Sequence, residues 1–325
     1  MQEIIRLFPK TIKEELVKRI ANRWPTLQEI RIRIGRPVEL IFDQREEWLK
    51  SVIPSTEDGM HILNQLSQFS LYRMEDELRE GFITIEGGHR VGLAGRVNTI
   101  DGNVKAIKHI ASFNIRIAKQ KIGAASAYIR HLYDGNYHNT LIIGPPQTGK
   151  TTLLRDVARF ISTGWGQVRP YKIGVIDERS EIAGSVNGIP QHELGPRSDV
   201  MDACPKAEGM MMMIRSMSPE VIIVDEIGSG KDVQALMEAI HAGVRIVCSI
   251  HGQSFADLRD RPSLQPLFKQ HAFDRYLILS RGTKPGMVET ILDREGNHIL
   301  KKPRCTEDEM DRGTSSAQRY HMGRF

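Results

Sequence analysis

The feature that most constrains this chain is a loop that fits the pattern G-x-x-x-x-G-K-[ST] at every fixed position. Its residues are Gly144, Pro145, Pro146, Gln147, Thr148, Gly149, Lys150 and Thr151. An apolar run at 140–143 precedes the loop and a helical pattern at 152–161 follows it, so the context is strand, glycine loop, helix. This arrangement aims backbone N–H groups and the positive end of a helix at one point, as a polyphosphate requires. The alternative is a chance match in an ordinary loop, but such a loop has no need of the flanking strand and helix.

The chemistry of this phosphate loop predicts ATP and Mg²⁺ as cofactors. We assign ATP binding to the loop from Gly144 to Thr151 and to Thr152, which follows it. Lys150 adds a mobile cation that offsets phosphate charge, which makes it a candidate catalytic residue. The Thr151 hydroxyl offers Mg²⁺ a ligand, as Ser or Thr does at this position of the pattern.

Length and composition are those of a globular protein with about two domains. The chain has 325 residues, of which 40% are apolar and 26% are charged. No run approaches the roughly 18 apolar residues of a membrane span, and the first residues do not resemble a signal peptide, so we expect a cytoplasmic protein. Three dispersed cysteines predict neither a disulfide framework nor a zinc site.

The formal net charge of +5 is mildly basic and leaves two kinds of partner open. It is compatible with an anionic membrane face and with nucleic acid. The sequence has no basic stripe interleaved with aromatic residues, so we expect no stable binding of nucleic acid.

Residues 1–120 are predicted to form a small α+β domain, because helical and alternating patterns are mixed there without strict order. A helix is expected before Trp24, and an alternating pattern at 29–42 predicts a half-buried hairpin. The other predicted elements are a helix that begins at Ser55 or Thr56, a helix at 74–80, a hairpin at 82–97, a turn at 101–102 and a strand at 110–117.

Residues 121–300 are predicted to form an α/β P-loop NTPase domain. Apolar strands alternate with helices, which indicates a parallel sheet covered on both faces. The strands are expected at 140–143, 173–176, 221–224 and 245–250, the helices at 150–161, 207–216 and 231–241, and a terminal hairpin at 277–292. We expect a helix and a polar connection at 121–139 and a long irregular region after 176. The polar segment 301–325 is predicted to be mostly disordered.

Two acids follow the apolar strand at 221–224 and are candidate catalytic residues. A nucleotide hydrolase needs an acid near Mg²⁺ and a second carboxylate to orient the attacking water. Ligands bind at the carboxyl ends of strands in open α/β sheets, where Asp225 and Glu226 are expected. We assign Asp225 to Mg²⁺ and Glu226 to the water. The alternative is a pair of acids that only ends the strand.

Further polar residues end the neighbouring strands. Each of them either belongs to the nucleotide site or is a solvated or structural residue. The run from Asp177 to Glu181 either joins the site or is a solvated charge run. His251 follows the last parallel strand, where an imidazole could sense the γ-phosphate, so it is a candidate catalytic residue. An isolated histidine is more often structural, and neither His251 nor His241 belongs to a metal-ligand cluster.

Several segments together resemble the secretion ATPase superfamily, the hexameric motors of type II and type IV secretion and pilus systems. The similar segments are the first strand at 29–37, the strand before the motor at 112–116, an aspartate box at 176–181, the stretch before Walker B at 214–220 and a histidine box at 241–251. Their order along the chain carries the resemblance. It implies a RecA/AAA+-like motor domain, with ATP between the two domains and arginines at subunit interfaces completing the site.

The sequence departs from that pattern at Walker B. Secretion ATPases typically have Gly-Glu followed by Arg-Asp, whereas this run is Asp225-Glu226-Ile227-Gly228. This signature, together with the segments 29–37 and 247–252, is more similar to the stage III sporulation AA family of endospore-forming bacteria. That resemblance implies a mother-cell ATPase associated with a membrane-embedded secretion-like channel. We therefore expect a homo-oligomer, with a hexamer as the implied ring, that lies at the inner face of a membrane through protein partners.

Three functions are kept open. The leading hypothesis is a motor that couples ATP hydrolysis to domain motion, in which an arginine from another domain or subunit stabilises the transferred phosphoryl group. Arg116 is the first candidate, followed by Arg96 and Arg215, although each is equally compatible with a solvated arginine. The alternatives are a P-loop protein that binds nucleic acid, and a nucleotide-gated scaffold that hydrolyses little ATP.

Overall fold

The computed structural model describes residues 1–67, 81–100, 103–280 and 286–301, and for residues 100, 103–106 and 301 it describes the backbone alone. The helix predicted at 74–80, the turn predicted at 101–102 and the predicted tail from residue 302 onward lie outside the described residues. The elements below are those of the described ranges.

The first part of the chain forms a six-stranded antiparallel sheet flanked by helices. The helices are α1 (Gln2–Ile5), α2 (Lys10–Ile20) and α3 (Thr56–Leu66). The strands are β1 (Leu27–Arg33), β2 (Val38–Phe42), β3 (Glu46–Leu49), β4 (Phe82–Ile85), β5 (His89–Ile100) and β6 (Asn103–Arg116). Their order across the sheet is β3-β2-β1-β6-β5-β4.

Alternation of apolar and polar residues gives this sheet one core face. Ile30 and Ile32 of β1 are fully buried, in one cluster with Leu16 of α2 and Ile62 of α3. α3 begins where the sequence predicts, because the Ser55 side chain accepts the third helical N–H in a capping box. In β1 the opposite face carries the polar side chains Glu29, Arg31 and Arg33, as the alternating pattern predicts.

The segment 121–139 differs from the sequence prediction of a helix. It contains turns, a short 3₁₀-helix (Ile129–Leu132) and a small hairpin of β7 (Tyr133–Asp134) and β8 (Asn136–Tyr137). Gly123 has φ +88°, and the Ala125 N–H bonds to the Asp156 carboxylate at 2.8 Å. A tertiary partner therefore takes an N–H that a helix would have used, which a local pattern does not reveal.

The second sheet has eight strands, of which six are parallel. The strands are β9 (Thr140–Gly144), β10 (Ile173–Asp177), β11 (Ser198–Asp202), β12 (Val221–Val224), β13 (Arg245–His251), β14 (Arg275–Leu279), β15 (Val288–Leu292) and β16 (His298–Lys301). Their order is β11-β10-β12-β13-β9-β14-β15-β16. The helices are α4 (Lys150–Thr163), α5 (Lys206–Met217), α6 (Gly230–His241), α7 (Phe255–Arg259) and α8 (Gln265–Lys269).

Helices cover both faces of this sheet, as predicted. Ile223 of β12 packs in one cluster with Val157 of α4, whereas its neighbour Ile222 packs in another with Leu236 of α6. Two strands of this sheet were not predicted: the polar edge strand β11 lies inside the region predicted to be irregular, and β16 extends the terminal hairpin to three strands. The α/β P-loop NTPase fold, preceded by a smaller α+β unit, is confirmed, whereas the boundaries at 120 and 300 stay a prediction.

Candidate nucleotide site

The phosphate loop joins β9 to α4 through a backbone that turns sharply. Gln147 and Gly149 have φ values of +66° and +87°, and Gly149 is the N-cap of α4. The Thr148 hydroxyl donates to the Pro145 carbonyl at 2.8 Å and closes the loop on itself. A Cβ at Gly144 would lie 2.7 Å from the Thr148 hydroxyl oxygen, so the loop needs glycine there.

Lys150, in the first turn of α4, extends back across the loop. Its ammonium donates to the Pro145 carbonyl at 3.1 Å and lies 3.0 Å from His251 Nδ1. Burial lowers the pKa of Lys150 from its usual value, while the nearby carboxylates of Asp225 and Glu226 oppose part of that shift. The cation is thus placed at the mouth of the loop, where phosphate oxygens would meet it.

A hydrogen bond joins the loop to the strand that carries the predicted magnesium acid. The Thr151 hydroxyl donates to Asp225 Oδ2 at 2.6 Å. Asp225 follows β12, which is separated from β9 by β13 alone, so the three strand ends converge on this point. Hydroxyl and carboxylate oxygens are the ligands that Mg²⁺ prefers, and the residues therefore fit the predicted ion.

Glu226 lies next to the predicted magnesium acid in an unusual backbone conformation. Its φ is +53°, a left-handed conformation that costs a non-glycine residue about 1–3 kcal/mol. One carboxylate oxygen lies 2.7 Å from His251 Nε2, and the other lies 3.4 Å from the Arg179 guanidinium. His251 therefore lies between Glu226 and Lys150, and its contacts fit an imidazole with the proton on Nε2.

Ser249 connects the two acids and was missed by the sequence analysis. It is fully buried in β13, and its hydroxyl donates to Asp225 Oδ1 and accepts the Glu226 N–H at 3.0 Å. Its carbonyl accepts the Ile227 N–H at 2.9 Å. The available signal was a lone serine within the apolar strand 245–250, two residues before His251.

Asp177, at the end of β10, holds its own loop. Its carboxylate accepts the backbone N–H groups of Glu181, Ile182 and Ala183 at 2.8, 3.0 and 2.7 Å. Burial raises the pKa of Asp177, while these three hydrogen bonds act in the opposite direction. The acid at this strand end thus shapes the segment that follows β10.

Arg155 of α4 fixes the same segment from the other side. Its guanidinium is buried and donates to the carbonyls of Ile182 at 2.7 Å and Glu181 at 2.6 Å. Burial lowers the pKa of Arg155, and Asp177 is the first of the acids that oppose this shift. The helix that begins at the phosphate loop is therefore tied to the segment after β10, through an arginine that the sequence analysis did not single out.

The segment after β10 also contacts the antiparallel sheet, and we call this contact the seam. Glu181 pairs with Arg90 of β5 at 2.8 Å. The imidazole of His192 lies between two glycines, since a Cβ at Gly88 or at Gly184 would come within 2.9 or 3.0 Å of it. Burial, followed by the charges of Arg155 and His89, lowers the pKa of His192 to about 4.

The structure brings together five predicted residues, Lys150, Thr151, Asp225, Glu226 and His251, and places the candidate arginines elsewhere. Arg116 ends β6, has a side chain that is 63% exposed and lies 3.7 Å from Glu29. Arg96 is exposed on β5, and Arg215 of α5 donates to the Met211 carbonyl at 3.1 Å.

Comparison with known proteins decides the family. The family model described as "Sporulation stage III, protein AA" matches residues 1–299. The chain belongs to this family. Stage III sporulation protein AA of Bacillus subtilis (strain 168) is 57% identical over 301 residues, which cover 93% of this chain and 98% of that protein. The family predicted from the Walker B signature is thus confirmed.

Solved structures show which fold this member of the sporulation stage III, protein AA family shares. The ATPase DotB of Yersinia pseudotuberculosis has a TM-score of 0.57 at 13% identity, over 88% of this chain and 80% of that one. The pilus retraction motor PilT, solved with bound ADP, has a TM-score of 0.53 at 14% identity, over 81% and 76%. Among the residues that the structure describes, no helix is both long and apolar enough to cross a membrane.

Proposed function

We propose that this member of the family is a Mg²⁺-dependent ATPase that converts ATP and water to ADP and phosphate. The hydrogen bond of 2.6 Å between Thr151 of the phosphate loop and Asp225 carries the proposal. It joins the two oxygen ligands that a P-loop NTPase uses for Mg²⁺, on separate elements, beside a buried lysine and a second carboxylate.

Each side chain has one role in this proposal. Lys150 and the loop from Gly144 to Thr152 bind the phosphates, and Thr151 and Asp225 hold Mg²⁺, which offsets the charge that develops on the phosphates. Glu226 orients the attacking water. His251 contacts both Glu226 and Lys150, so it is placed to respond when Lys150 turns toward phosphate. Arg116, exposed on β6, serves as the arginine finger from another subunit.

We further propose that the ATPase is the motor of a secretion-like channel that acts from mother cell to forespore during endospore formation. The family supports the sporulation role, and the fold shared with DotB and PilT, which are named as an ATPase and a motor, supports the coupling of hydrolysis to domain motion. The proposal includes a hexamer, membrane-embedded channel proteins as partners, and a cytoplasmic position at the membrane. It includes no stable binding of nucleic acid.

Replacement of the loop lysine tests the nucleotide site. Loss of a charge-assisted hydrogen bond costs about 1.5–3 kcal/mol, so Lys150→Ala is expected to weaken Mg²⁺–ATP binding by roughly 10-fold to 100-fold. Titration of the protein into a fluorescent ATP analogue measures the affinity. Lys269→Ala, which removes an exposed lysine at the end of α8, is the matched control and should bind like the wild type. Equal affinity in Lys150→Ala and the wild type would contradict the proposed site.

A nucleotide-gated scaffold is the second candidate, and one observation favours it. Both carboxylate oxygens of Glu226 are engaged, by His251 and by Arg179, so the carboxylate must be released before it can orient a water. Turnover measured with and without the membrane partners separates the two functions. The ATPase hydrolyses ATP at least when its partners are present, whereas the scaffold binds ATP and assembles without appreciable turnover in either condition.

A further inference from the structure

The two acids of the candidate site depend on one buried hydroxyl group. The Ser249 hydroxyl accepts the Glu226 N–H at 3.0 Å, and its single proton goes to Asp225 Oδ1. The other Asp225 oxygen, Oδ2, accepts the proton of the Thr151 hydroxyl at 2.6 Å. Both oxygens of Asp225 are therefore fixed. Because Ser249 holds Oδ1, Oδ2 is the oxygen that faces the phosphate loop.

The same serine supports the strained backbone that follows. Glu226 has φ +53°, and its N–H bonds to the Ser249 side chain on β13 rather than to a backbone carbonyl of that strand. The next N–H, of Ile227, bonds to the Ser249 carbonyl at 2.9 Å. A residue in the left-handed region persists only where its surroundings hold it, and here the side chain and the backbone of one residue do so.

We propose that Ser249 is a positioning residue of this site, which orients Asp225 for Mg²⁺ and holds the turn that places Glu226. The inference rests on the proposed ATPase function, and it concerns residues that act through others, because Ser249 itself is fully buried. Without the hydroxyl, Asp225 loses the bond that selects its rotamer and the Glu226 N–H loses its acceptor. Nucleotide binding through Lys150 does not involve Ser249 and should not change.

A matched pair of buried serines makes the test specific. Ser249→Ala removes a hydroxyl with two partners, whereas Ser185→Ala removes a buried hydroxyl for which the described part of the chain offers no hydrogen-bond partner. Ser249→Thr keeps the hydroxyl on a residue suited to a strand. Ser249→Cys keeps the size but is a weak donor and acceptor, so it replaces Ser249→Ala if that variant does not unfold cooperatively.

The measurement is the Mg²⁺ concentration needed for half-maximal binding of a non-hydrolysable ATP analogue, with ATP turnover as a second readout. Loss of a partner that orients a metal ligand typically costs 10-fold to 100-fold, so Ser249→Ala should raise this Mg²⁺ concentration by about that factor and lower kcat. Affinity for the analogue in EDTA should equal that of the wild type. Ser249→Thr should restore most of the Mg²⁺ response, and Ser185→Ala should match the wild type.

Two results would overturn the inference. One is a Ser249→Ala protein, or its Cys replacement, whose Mg²⁺ dependence and kcat equal those of the wild type. The other is an equal loss in Ser185→Ala, which would mean that any buried serine has the same effect. A wild type that binds no Mg²⁺–nucleotide would contradict both the proposed function and this inference, whereas a responsive wild type with an unaltered Ser249→Ala would contradict the inference alone.

Discussion

The two sheets of this molecule bury their strands in different ways. In β1 of the antiparallel sheet, Ile30 and Ile32 are fully buried, whereas Arg31 and Arg33 alternate with them on a partly exposed face. In β12 of the parallel sheet all four residues are buried, because helices pack on both faces. A strand covered on both faces leaves its ends as the place where charged side chains can reach a ligand. The acids of the candidate site accordingly follow β12 rather than lying within it.

The largest expected effect is on the free energy of unfolding. Substitutions at consecutive positions of one strand should affect it differently in the two sheets. Ile222→Ala and Ile223→Ala should each lower the free energy of unfolding by about 2–5 kcal/mol, because each removes packing from a closed core. In β1, Ile32→Ala should cost as much, whereas Arg31→Ala should change stability by less than about 1 kcal/mol. Urea unfolding followed by circular dichroism measures each value. A neutral variant in β12, or an Arg31→Ala as costly as Ile32→Ala, would remove the distinction.

A second prediction concerns the seam between the sheets. His192 has a pKa of about 4 in the folded protein and about 6.5 when unfolded, so the unfolded chain binds the extra proton between these values. The free energy of unfolding should therefore fall as the pH is lowered from about 6.5 to 4, by roughly 1–2 kcal/mol after allowance for partial exposure. Urea unfolding at several pH values measures this loss.

His192→Asn is the matching variant for the seam. It lacks the imidazole, so it should lose stability less steeply with falling pH, while the lowered pKa of His89 acts equally in both proteins. If wild type and variant have the same pH dependence, the pKa of His192 is not lowered in the folded protein.

The smallest expected effect is that of the ion pair across the seam. Arg90 and Glu181 lie 2.8 Å apart and are each about one third exposed, so their interaction is expected to be worth roughly 0.5 kcal/mol. A double-mutant cycle with Arg90→Gln and Glu181→Gln isolates this value from the cation–π contact of Arg90 with Phe82. A coupling energy above about 2 kcal/mol would show that the two sheets are joined far more tightly than surface electrostatics allows.

The sequence predicts those parts of the fold whose signals are local. The phosphate loop has a fixed spacing, and strands such as β12 are short apolar runs. The edge strand β11 was missed because its polar residues form a strand only by pairing with β10. The segment 121–139 was predicted to contain a helix because the bond between the Ala125 N–H and Asp156, which lies far away in sequence, leaves no local signal. Local patterns do not contain such long-range contacts.

The candidate site shows the same division. Lys150, Asp225 and Glu226 belong to recognisable motifs, so the sequence predicts that they share one site. The structure brings these three residues together. Ser249 and Arg155 were not predicted, because their importance comes from partners on other elements. A buried polar residue inside an apolar strand or helix face was the available signal, and its partner could be found only in the fold.

Phosphate release from ATP by wild type and Glu226→Gln, at saturating ATP and Mg²⁺ and with the membrane partners present, tests the proposed ATPase most directly. Glutamine keeps the size of Glu226 but lacks the carboxylate that orients water, so turnover should fall by about 10²-fold or more while Mg²⁺–ATP binding is retained. Turnover in a well-folded Glu226→Gln protein equal to that of the wild type would contradict the role assigned to Glu226. A wild type without turnover would contradict the proposed activity.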